Sequence, residues 1–193
     1  MPLRTGWLKD YWAQIAQIGT LLGLSIGGLI SFPPKLTMAS NDDNQAAFFS
    51  QFLVTVAVGL MLVVFSRFNK RNQMFYWAST CGAFLVVTTI LVFVYRYFQA
   101  NWTCQYAVKY LLVIGDKFTP DATNFLSQVS HQPFSCAELL AEYAGDSFKI
   151  WERDTTIQRH LGLAALHSSV WAMAALTIMA LLQALRCSVQ KKS

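Results

Sequence analysis

His160 and His167 stand seven residues apart in a long apolar run near the C-terminus, a spacing that puts both on one face of a helix. Ionisable side chains inside such a run are candidates for a proton or ion path, or for metal ligation. Gln14, Gln17 and Gln183, together with Gln51, Thr55, Thr88, Thr89 and Thr177, could complete a polar pathway with them. The plainer chemistry is adhesive: in lipid such groups hydrogen-bond from one helix to the next. His160 falls at the headgroup level and His167 can bond across a bundle, so no metal site is expected.

Cysteine chemistry is the second candidate. Cys104 and Cys136 flank a water-exposed segment, whereas Cys81 and Cys187 lie in or beside apolar runs. A Cys104 to Cys136 disulfide would close a loop of about 30 residues and stabilise it by roughly 3 to 4 kcal/mol in the chain-entropy model. The sequence contains no C-x-x-C pair, H-E-x-x-H motif, serine elbow or phosphate loop, and these are the arrangements that redox, hydrolytic and phosphoryl chemistry need. The expectation is therefore a non-enzyme without a cofactor. Asn101-Trp102-Thr103 matches a glycan acceptor, but it lies too near an apolar run for a transferase to reach it well.

Gly19, Gly23 and Gly27 repeat every four residues within the first apolar run. Where lipid removes the hydrophobic drive between helices, such a ridge allows close backbone approach and helix association. It serves packing within one subunit or between subunits, and it carries no catalysis.

The elements that must hold these residues are four apolar runs, at about 11–32, 47–66, 75–97 and 160–185, each reaching the about 20 residues a bilayer core requires. Lipid cannot solvate free backbone groups, so the expected fold class is an all-α integral membrane protein. It would be a bundle of four transmembrane helices with a small α+β extracytoplasmic insert between helices 3 and 4. Residues 1–97 hold the first three helices, 98–158 the insert, and 159–193 the fourth helix with a short basic tail. Residues 1–32 also resemble a secretory signal, but the apolar run is too long and no clean cleavage site follows.

Charge orients the bundle. Counted with the first loop and the insert on one side, the other side holds Arg4, Lys9, Arg67, Lys70, Arg71, Arg186, Lys191 and Lys192 against Asp10 alone. The positive-inside rule then puts both termini in the cytoplasm of a plasma or bacterial inner membrane. The net charge of +5 needs no nucleic acid to explain it. Arg96 and Arg159 close helices 3 and 4 at the outer border, where they could snorkel to phosphates or pair with Glu152 or Asp154.

Within the insert, Val108 to Ile114 reads as a strand ending at Gly115-Asp116. Thr119 and Pro120 open a helix to about Val129, and Ser135 with Glu138 forms a capping box for a second helix closed by Gly145. Phe148 to Trp151 reads as a short strand. Thr155 with Gln158 is another capping box, opening a helix that continues from about Thr156 into the bilayer. The functional expectation is a membrane protein that self-associates through helix 1 and could form a pore. The alternative is a non-enzymatic sensor or accessory subunit whose insert binds a protein partner.

Overall fold

In the computed structural model the described residues are 34–37, 52, 56, 59, 74–107, 110–128 and 134–190. The Gly19, Gly23 and Gly27 ridge and the Gln14 and Gln17 pair lie outside them, as does Gln51. Of the second apolar run, Phe52, Val56 and Gly59 are described, all helical. The described chain is mostly helical with one small sheet, and two of its helices are long and apolar enough to cross a membrane.

The first of these, α1 (Met74–Trp102), contains Val86-Val87-Thr88-Thr89-Ile90, a β-branched stretch that would weaken a helix in water. In a helix surrounded by lipid, the backbone would have only its own bonds to make. Thr80, Thr88 and Thr89 turn their hydroxyls back to the carbonyls of Tyr76, Phe84 and Leu85 at 2.9, 2.7 and 2.9 Å, so these side chains are satisfied on their own helix. Between α1 and the second long helix lie β1 (Thr103–Tyr106), β2 (Tyr110–Val113), α2 (Pro120–Gln128), α3 (Cys136–Glu142) and the single turn α4 (Ser147–Ile150). The long helix itself is α5 (Arg153–Gln190), 38 residues.

The intervening elements form a cap. Antiparallel β1 and β2 pair from Thr103 with Val113 to Tyr106 with Tyr110. On the other edge of β2, Lys35 adds one parallel bridge, its N–H bonding Leu111 O and its carbonyl accepting from Val113 N–H, both at 2.9 Å. Leu112, Ala122, Leu139, Leu140, Ile150 and Trp151 make the cap core, with Phe125 and Tyr143 packed against it. Cys104 on β1 and Cys136 on α3 are joined at a Cα separation of 6.3 Å, which ties the sheet to that core.

Local chemistry sets each cap helix. Thr119 accepts from Ala122 N–H at 3.2 Å and opens α2 at Pro120. Ser135 and Glu138 exchange both bonds of a capping box, at 2.8 and 3.3 Å, and Gly145, at φ 76°, closes the following turn by bonding Leu140 O at 2.7 Å. The backbone N–H and then the hydroxyl of Ser135 hold the Glu138 carboxyl below the usual carboxylate range. A folded-state value lowered in this way adds stability above the unfolded carboxylate range, and that stability is lost as pH falls through the folded value.

Three boundaries differ from the sequence reading. Phe148 to Trp151 is not a strand: Asp146 accepts from Phe148 N–H at 3.2 Å and starts the helical turn α4, leaving only Trp151 in an isolated bridge with Phe118. β1 was not anticipated, and the cap begins at Thr103, because α1 runs on to Trp102. The last helix starts at Arg153 rather than near Thr156, with Thr155 spending its hydroxyl on Glu152 O at 3.0 Å.

Candidate functional site

The two long helices run antiparallel and meet along a regular seam. On α1 it is formed by Trp77, Cys81, Phe84, Thr88, Tyr95 and Gln99, and on α5 by His160, Leu163, His167, Val170, Ala174 and Thr177. These positions step by three and four, with one step of seven from Thr88 to Tyr95 on α1, the spacing of helices packed as a shallow coiled coil. The face of α1 opposite the seam exposes Val86, Ile90, Phe93 and Tyr97. In lipid that face costs nothing; in water it would be an aggregation surface.

The seam carries polar cross-links. Thr88 and Thr177 hydroxyls lie 3.3 Å apart, and Cys81 Sγ donates to Thr177 O at 3.7 Å. Toward the cap, Tyr95 is fully buried beside His167, ring centroids 5.7 Å apart, and Trp171 donates its indole N–H to His167 Nε2 at 3.2 Å. At the end far from the cap Trp77, Ala180 and Cys187 pack together.

Where helices meet cap, one residue touches three elements. Arg159 of α5 donates to Ile114 O, just past β2, at 3.1 Å and lies over the Trp102 ring at the end of α1, 5.8 Å from its centroid. Trp102 fits there because Gly162 faces it: a Cβ on Gly162 would stand 3.2 Å from the ring. Next to Ile114, Gly115 is buried against Trp151, Thr155 and Thr156. Arg159 is thus a clamp, and among the described residues neither arginine pairs with Glu152 or Asp154. Arg96 donates instead to Gln99 Oε1 at 3.0 Å; among the described residues the one ion pair is Lys149 with Asp146 at 3.9 Å.

Of the polar positions singled out in the sequence, His160, His167 and Gln183 all lie on α5, with His160 and Gln183 buried and His167 half-buried. Gln183 is sixteen residues beyond His167, about 24 Å along the helix, so the three do not form one cluster. Asn101 and Thr103 of the glycan-acceptor pattern bond Tyr97 O and Gln99 O at 2.8 and 2.7 Å, folded into the end of α1. Among the described residues no three His, Cys, Asp or Glu side chains come together as a metal centre would require. Tyr95 and Trp171 were missed as partners of His167. The spacing 88, 95, 102 on α1, set against 160, 167, 174 on α5, is the signal that would have found them.

Compared with protein-family models, with curated proteins and with solved structures, the chain matches none of them.

Proposed function

We propose that the chain is a multi-pass membrane protein acting as a non-enzymatic sensor or accessory component, with the cap as its partner-binding part. The observation that carries this reading is the Arg159 clamp. A cap fastened to both long helices through Ile114 and Trp102 moves with them, so that what binds the cap bears directly on the helix pair. Lys35, which precedes the second apolar run, bridges to β2 of the cap. That supports counting the first loop and the cap on one side of the membrane, with both termini in the cytoplasm.

Replacing Arg159 with Gln keeps a polar side chain but removes the guanidinium from both partners. The cap is expected to lose about 2 kcal/mol of attachment, from a charged hydrogen bond and a cation–π contact. The measurement is limited proteolysis in nanodiscs, with faster nicking of the cap expected in R159Q. Nicking at the wild-type rate would remove the coupling on which the reading rests.

Self-association through Gly19, Gly23 and Gly27 is a second reading. The broad exposed apolar face of α1 favours it, since that face is open to a second subunit as well as to lipid. A pore would then belong to the assembly, because the hydroxyls of Thr88 and Thr177 face each other in the α1 to α5 seam and each bonds a carbonyl of its own helix.

A further inference from the structure

We draw no further inference here: the strongest candidate, the exposed apolar face of α1 formed by Val86, Ile90, Phe93 and Tyr97, is an unpartnered helix face, and nothing in the structure shows what covers it.

Discussion

Replacing Cys104 and Cys136 together with serine is expected to destabilise the cap by about 3 to 4 kcal/mol while leaving the helix pair assembled. The bridged residues are 32 apart in sequence, and unfolding the cap without that link releases the chain entropy of the loop. The cap has few other reserves. Among the described residues its central core cluster holds six buried side chains, Leu112, Ala122, Leu139, Leu140, Ile150 and Trp151, and a unit this small gains little from burial alone. The seam between α1 and α5 depends on none of these contacts. In the double variant, hydrogen exchange should therefore accelerate at β2 and α3 amides and stay slow at Leu163 to Thr177. Uniform acceleration in both regions would show that cap and helices unfold as one unit, and unchanged exchange that the bridge contributes nothing.

Gly115→Ala is expected to cost about 1 to 3 kcal/mol, the range for overpacking a rigid site. An added Cβ would stand 2.6 Å from Trp151 Cβ, 2.9 Å from Thr155 Oγ1 and 3.0 Å from Thr156 Oγ1. The Trp151 atom is bonded directly to backbone, and that backbone is fixed on both sides, by Trp151 N–H to Ser147 O at 2.9 Å and by Glu152 N–H to Lys117 O at 2.9 Å. It cannot rotate away. Displacement passes instead to Ile114, whose carbonyl is the acceptor for Arg159, so the same substitution loosens the clamp. Two other glycines serve as controls. On Gly82 an added Cβ meets nothing within 4 Å, and alanine there should be neutral or slightly stabilising through helix propensity. On Gly162 it would meet the far end of the Trp102 ring at 3.2 Å, which can tilt. Thermal unfolding of the three variants should rank Gly115→Ala lowest; equal midpoints would contradict the tight approach.

How much of this could be read from residues alone follows the range of the interactions. The openings of α2 and α3 were legible because Thr119 with Pro120, and Ser135 with Glu138, act within one turn of chain. The apolar lengths of α1 and α5 were legible for the same reason. Phe148 to Trp151 was misread because its residue types favour a strand, while the Asp146 carboxylate, immediately upstream, favours a helical turn and prevails. β1 had only a weak signal of its own: Thr-Cys-Gln-Tyr alternates, with Cys104 and Tyr106 packed on the cap core, but four residues are too short a run to stand out, and β2 beside it makes it a strand. Lys35 reaches β2 across more than seventy residues, beyond any local pattern. The candidate site divides along the same line. The histidine spacing on α5 was visible, but their partners required pairing α5 with α1 in antiparallel register. The clamp required knowing that Gly115 lets the chain after β2 pass close to α5.

The central claim is that α5 carries the chain from an outer cap through a membrane to a tail on the other side. In a background with Cys81 and Cys187 replaced by alanine, single cysteines at Asp121 in the cap and at Lys191 in the tail can be treated with a membrane-impermeant maleimide on intact cells. The account expects Asp121→Cys to be labelled at once and Lys191→Cys only after the membrane is permeabilised. Labelling of both positions from the same side of a sealed membrane would contradict it.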